Sequence, residues 1–347
     1  MERNLVARQK NFPFAQWLHF LPLVLLFLPW ATQAAAVLDV VTFVLVYGLL
    51  AMSLNLLVGY TGMVSFGHAM FFASGAYAFC LGLQAGWSTL AAFLAAVGAS
   101  TLMALVVGAV CVRLRETHFS FITLAVAMLL YNMIEIWTPV TGGDQGLNGM
   151  VRQASLLGVN LSAGVPRYLF IVAVFCLSAF AMRALVSSSF GATLRMIRDN
   201  ESRCGYLGVN VYTTKLMAFA LSALFASVAG ALATLLVAGA FPTMALWTTS
   251  GDAIVAILLG GSRVFYGPLA GAALLRLLID GTTRYTGNTS LVLGVLILLI
   301  VLVVRKGPVD LLYERLQARR ARRVCPEPKS EQVATVPMKT SATAVEA

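Results

Sequence analysis

The sequence predicts an all-α fold, a polytopic membrane helical bundle of about ten transmembrane segments that include short broken helices. Three observations predict it. Of 347 residues, 59% are apolar and only 11% are Asp, Glu, Lys or Arg. A soluble domain carries about 25% charged residues, because its exterior must meet water. Apolar stretches of bilayer length recur along the chain, and the remaining charges gather at the ends and in a few loops. Together these exclude an ordinary soluble enzyme, a disordered chain and a fibre.

The chain divides into an N-terminal segment, 1–17, a transmembrane domain, 18–305, and a tail, 306–347. Apolar stretches lie near 18–37, 39–58, 67–86, 88–112, 118–138, 167–186, 214–238 and 288–304. Each has about the 17–25 residues that the hydrocarbon layer demands. The first stands where a signal peptide would. Pro22 and Pro29 interrupt it, however, and no convincing small-residue cleavage site follows, so an anchoring helix is the better reading. Residues 251–281 differ: a run from Asp252 to Gly260 meets Gly261, Ser262, Arg263 and Gly267-Pro268 before a second run to Asp280. Glycine and proline break helices, and a break at membrane depth is tolerated only under protein or beside water. Two short elements are predicted there, completing the ten. In the tail, 309–323 fits either a short basic helix on anionic lipid or a solvated linker, and from about 324 the composition is that of a disordered segment.

Orientation follows from the loops. Arg3, Arg8 and Lys10 precede the first span, and Arg113 and Arg115 follow the fourth. Arg183, Arg195, Arg198, Arg203 and Lys215 bracket the loop 187–214, and Arg305, Lys306 and the cluster from Arg315 to Arg323 follow the last span. If ten spans are drawn these all fall on one side, which the positive-inside rule makes cytoplasmic, with both termini inside. The formal charge of +10 thus reads as topology, and no basic stripe interleaved with aromatics points to nucleic acid. The five cysteines form no Cys-x-x-Cys pair and the three histidines lack metal-ligand spacing, so no metal or cofactor of the chain's own is predicted.

Three segments carry candidate function. Residues 59–68, Gly-Tyr-Thr-Gly-Met-Val-Ser-Phe-Gly-His, place glycines and hydrogen-bonding side chains between two apolar runs. They fit an irregular buried turn lining a pathway, with Asn55, Tyr60, Thr61, Ser65 and His68 as candidate contacts, or close helix packing through small residues. Residues 141–149 form a glycine-rich loop on the opposite side, in which Gly142, Gly143, Asp144 and Asn148 are candidates for docking an external partner. A purely structural loop is the alternative. In the loop 187–214, Leu194 and Ile197, then Cys204 and Leu207, recur at helical spacing, Asp199, Asn200 and Glu201 can cap a short helix, and Gly208 can end it. Two short helices with an apolar docking face are predicted, against a solvated turn. A faint echo links Ser65-Phe-Gly-His-Ala69 with Thr249-Ser-Gly-Asp-Ala253 and would pair His68 with Asp252 near the path if it is a true repeat.

No phosphate-binding Gly-x-x-x-x-Gly-Lys-Ser/Thr sequence occurs, nor a nucleophile elbow or zinc-protease motif, which disfavours an intramembrane enzyme. Asp39, Glu135, Asp252 and Asp280 are scattered rather than clustered, which disfavours a stand-alone secondary transporter.

Four segments in order, 59–68, 141–147, 198–223 and 259–268, resemble the LivM-like permease subunits of bacterial ABC importers for branched-chain amino acids, over about residues 37–312. The resemblance implies a permease of the ABC importer type in the bacterial inner membrane. It also implies a second, LivH-like permease, two cytoplasmic ATPases that bind ATP and Mg, and a periplasmic substrate-binding protein. The loop bearing Arg195, Arg198, Asp199, Asn200, Glu201 and Gly208 would seat on an ATPase. Departures stand at Arg203-Cys204, Met128 and Gly260-Gly261-Ser262-Arg263-Val264. Relatives that carry urea, short amides or other solutes keep the substrate open.

Overall fold

The computed structural model describes residues 35–114, 116–149, 154–156, 159–161, 164–262 and 264–285, with single positions at 294, 295 and 298. The predicted segment 1–17, nearly all of the span 18–37, the span 288–304 and the tail 306–347 lie outside these. Ten helices of six residues or more are described: α1 (Ala35–Val58), α2 (Ala69–Gln84), α3 (Thr89–Cys111), α4 (Glu116–Ile136), α5 (Gly164–Ser187), α6 (Ser189–Asp199), α7 (Glu201–Tyr206), α8 (Val211–Val237), α9 (Trp247–Gly260) and α10 (Gly267–Tyr285).

Polar residues set the helix ends. Ser88 accepts from the Ala91 amide at the start of α3, Asn200 from Arg203 at the start of α7, and Asn210 from Thr213 at the start of α8. Each serves amides that the first helical turn leaves unpaired. Five helices, α1, α3, α4, α5 and α8, are long and apolar enough to cross a bilayer among the described residues. The chain is therefore a multi-pass membrane protein.

The stretch 67–86 gives a helix of only 16 residues, α2, about 24 Å long and short of the ~30 Å hydrocarbon layer. The reason is the glycine-rich segment before it, which stays irregular to His68. The stretch 251–281 gives α9 and α10, broken at Gly261 as the sequence indicates.

α2 packs between α3 and α8, and α1 packs on α8, α10, α5 and α9. Phe71, Phe72 and Phe79 of α2 are fully buried, as are Leu49, Leu54 and Leu57 of α1 and Phe219 and Leu232 of α8. α2 and α8 touch backbone to backbone: a Cβ on Gly75 would strike the Ser227 carbonyl, and one on Gly230 the Phe72 carbonyl. Gly260, Gly267 and Gly271 make a similar seam between α9 and α10. Such seams suit a medium in which lipid tails are as apolar as leucine and close van der Waals contact drives association. α3, α4 and α5 instead expose large apolar side chains, among them Leu102, Val106, Phe121, Leu129 and Phe180.

Two short ladders occur among the described residues: β1 (Leu147–Asn148) pairs antiparallel with β4 (Gly239–Ala240), and β2 (Ser155–Leu156) with β3 (Val159–Asn160). The first joins the glycine-rich loop 141–149 to the residues that follow α8. At the other end Tyr212 donates to the Ala109 carbonyl and Arg113 lies 5.3 Å over the Tyr212 ring, tying the end of α3 to the start of α8.

Replacing Gly230 by Val separates α2 from α8 and is expected to cost about 1–3 kcal/mol, the usual range for overpacking. Leu102→Val, on an exposed face, is expected to change stability by less than about 0.5 kcal/mol. Thermal unfolding of the detergent-purified protein, followed by size-exclusion recovery, checks both. Equal losses for the two variants would refute the seam.

Candidate functional site

The candidate residues occupy three places rather than one. The first surrounds His68, which is fully buried at the entrance of α2. Its Nε2 lies 2.9 Å from Ser53 Oγ of α1 and 3.5 Å from Ser222 Oγ of α8. Ser53 donates its own hydroxyl to the Leu50 carbonyl at 2.7 Å, and Ser222 donates to the Ser53 carbonyl. The Ser53 and Ser222 hydroxyls each have a carbonyl acceptor within reach, and the direction of the Ser53–His68 contact follows the tautomer of the ring. The His68 Nδ1 is buried with no hydrogen-bond partner among the described residues. One residue on, the Ala69 amide donates to Ser250 Oγ of α9 at 2.7 Å. Four helices thus meet through Ser53, His68, Ser222 and Ser250. The two echo segments are in direct contact here, through Ala69 and Ser250.

The second place is the end of α1. Thr61 donates to the Leu57 carbonyl at 2.5 Å, closing the helix. Asn55 is buried, with its Nδ2 3.4 Å from the Ser262 carbonyl at the break between α9 and α10, and its Oδ1 has no partner among the described residues. Tyr60 is buried nearby in sequence, and buried Ser65 likewise has a partnerless Oγ. The third is Asp252 of α9, exposed in the isolated chain. Arg276 lies 4.1 Å over the Phe43 ring and pairs with Asp280 at 3.0 Å.

The loop 187–214 forms α6 and α7. Leu194, Ile197 and Cys204, expected on the apolar docking face, are instead buried within the chain, whereas Leu207 is 69% exposed. Tyr206 beside it is 92% exposed and Met196 42%. Asp199 and Asn200 are exposed, Asn200 acting as the α7 cap, and Gly208 follows α7 with φ of +80°. Arg195 is half-buried. Two of the charges expected to meet a partner are held within the chain: Arg198 donates to the Gly59 carbonyl, and Glu201 pairs with the nearly buried Lys215 of α8 at 2.7 Å.

On the opposite loop, Asp144 and Asn148 are exposed and Gly143 is buried. Gly142 has φ of +75°, and any side chain there would meet the Gly146 carbonyl, so this glycine is required by the turn. Asn148 donates to the Gln145 carbonyl at 2.8 Å. No group of His, Cys, Asp or Glu among the described residues has metal-binding geometry.

Sequence reasoning did not single out Ser53, Ser222 and Ser250 as partners of the His68 region. The available signal was small polar residues inside apolar helices, which marks interhelical hydrogen bonding.

A buried polar clasp among short and broken helices, within a bundle whose outer helices are apolar, is the architecture of a polytopic membrane protein. The chain belongs to the family described as the branched-chain amino acid transport system permease component, whose model matches residues 36–304. It is 26% identical over 317 residues to the high-affinity branched-chain amino acid transport system permease protein LivM of Escherichia coli strain K12, covering 83% of this chain and 73% of that one. The Salmonella typhimurium LivM is also 26% identical, over 76% of this chain and 68% of its own length. The ribose import permease protein RbsC of Escherichia coli strain K12 is 29% identical over 63% of this chain and 70% of its own. No solved structure matches. Related permeases thus bear the names of different solutes, and a permease component implies further subunits.

Glu201→Gln leaves the Lys215 ammonium nearly buried without its partner. The expected loss is about 1–2 kcal/mol, below the ~3–5 of a fully buried pair because Glu201 itself is half exposed. Adding Lys215→Met is expected to restore most of it. Thermal unfolding of the three proteins checks this, and a double variant less stable than either single one contradicts the pairing.

Proposed function

We propose that the chain is the permease subunit of an ATP-binding-cassette importer for branched-chain amino acids, supplying half of the translocation path. A second permease supplies the other half, two separate cytoplasmic ATPases bind ATP and Mg, and a periplasmic binding protein delivers the solute. The family membership supports the transport role. The observation that carries the ATP-driven reading is the α6–α7 platform: a short amphipathic pair seated on the bundle by Leu194, Ile197 and Cys204, presenting Tyr206 and Leu207 outward. Aromatic and leucine side chains held clear of the fold beside polar residues have the character of an anchor for a partner's groove. The sequence has no phosphate loop of its own, so ATP chemistry falls to that partner.

Asp252 supports a path at the chain's edge. An exposed carboxylate on a bundle helix is expensive against lipid, so its face borders water or the second permease. Transport then alternates between inward and outward openings as the ATPases close and open. A permease for another small polar solute, such as urea or a short amide, is the second reading, favoured by the match to a ribose permease.

Tagged protein expressed with its neighbouring genes is expected to co-purify with an ATPase, and the cells to accumulate labelled leucine. Tyr206→Ala with Leu207→Ala is expected to weaken ATPase retention at least tenfold, as loss of a roughly 2 kcal/mol hot spot would. Retention equal to the unaltered protein's removes the anchor assignment. Recovery with no ATPase under any condition removes the importer reading.

A further inference from the structure

Arg198 is itself exposed on a loop whose charges invite the reading of a docking surface, yet its Nη1 reaches back to the backbone beyond α1. It donates to the Gly59 carbonyl, the first residue beyond α1. A cation there satisfies an orphan carbonyl and meets the negative end of the α1 dipole. Gly62, with φ of +81°, brings its backbone against the same side chain: a Cβ there would stand 3.3 Å from Arg198 Cγ. At the far end of the loop, Glu201 pairs with Lys215 of α8. The α6–α7 unit is therefore fastened to the ends of two helices, α1 and α8, and those helices carry Ser53 and Ser222, the two serines that hold His68.

We propose that Arg198 is a positioning residue that carries movement of the α6–α7 loop to the segment 59–68, rather than a contact for the ATPase. The proposal rests on the importer reading above. A push on α6 moves the Arg198 guanidinium, and with it the Gly59 carbonyl and the Gly62 turn. From there the irregular backbone leads to Ser65 and His68, with Val64 fixed by the Ser120 hydroxyl at 2.6 Å and Gly67 set against the Thr123 backbone. A rigid, planar fork suits such a strut better than a flexible ammonium.

The test uses the assembled complex in nanodiscs, with the five native cysteines replaced and Val64→Cys as a half-buried reporter. Two readouts are taken: the ATPase retained per permease, and the rate of maleimide labelling at position 64 with and without ATP and vanadate. In the parent complex the nucleotide changes the labelling rate. In Arg198→Ala the ATPase is retained in full and the nucleotide effect on labelling disappears, while Arg198→Lys keeps part of it. Gly62→Ala, which alters no residue of the loop, is expected to abolish the effect in the same way. Loss of the ATPase from Arg198→Ala would make the residue a docking contact and overturn the proposal, as would an undiminished nucleotide effect in both Arg198→Ala and Gly62→Ala. Failure of the parent complex to hold an ATPase would overturn the importer reading instead, so the two ideas fail separately.

Discussion

One backbone hydrogen bond organises the interior: the Ala69 amide donating to Ser250 Oγ. Helix α2 begins inside the bundle, and the first amides of a helix have no intrahelical partner. In hydrocarbon each unsatisfied group costs several kcal/mol, so a helix cannot simply start there. Ser250 supplies an acceptor from a helix 181 positions away, and His68, one residue earlier, is held by Ser53 and Ser222. The clasp permits a broken helix, the broken helix permits the irregular segment 59–68, and that segment reaches the loop at Arg198. Remove the acceptor, and the Ala69 amide is left unpaired at membrane depth.

The division between inner and outer helices follows from the same economy. α1, α2 and α8 carry the polar side chains and the glycine seams, so they pack on one another and on α3, α9 and α10. α3, α4 and α5 present leucine, valine and phenylalanine outward and need nothing beyond an apolar surrounding. Among the described residues, two ion pairs stand within the bundle, Arg167 with Asp39 at 2.6 Å and Arg276 with Asp280. Exposed Asp252 departs from this pattern.

Much of the bundle was legible because hydrophobic length is a strong signal. α3, α5 and α8 begin and end within a few residues of their apolar stretches, where Ser88 and Asn210 supply caps. The break at Gly261 was legible for the same reason, since glycine and proline act locally. The irregular segment 59–68 was legible from its glycines, and the stretch 67–86 overran α2 by only two residues at each end. The loop was read correctly as two helices, but most of the apolar face read as docking onto a partner is spent within the chain: Leu194, Ile197 and Cys204 are buried, while Leu207, just beyond the end of α7, stays exposed. Arg198 and Glu201 looked like free charges in sequence because Gly59 and Lys215, which hold them, lie 139 and 14 positions away. Candidate pathway residues were chosen by chemistry, and tertiary packing distributed them among three places.

The separation of Ala69 from Ser250 also has a meaning in time. A chain made at about 5–20 residues per second delivers Ser250 roughly ten to forty seconds after Ala69. For that interval α2 exists without the acceptor that lets it begin where it does, and Ser222 too has yet to be synthesised for most of it. The nascent N-terminal half must therefore wait in a provisional arrangement, sheltered by water, by the insertion machinery or by a longer temporary helix. Its final register is set only when α9 arrives.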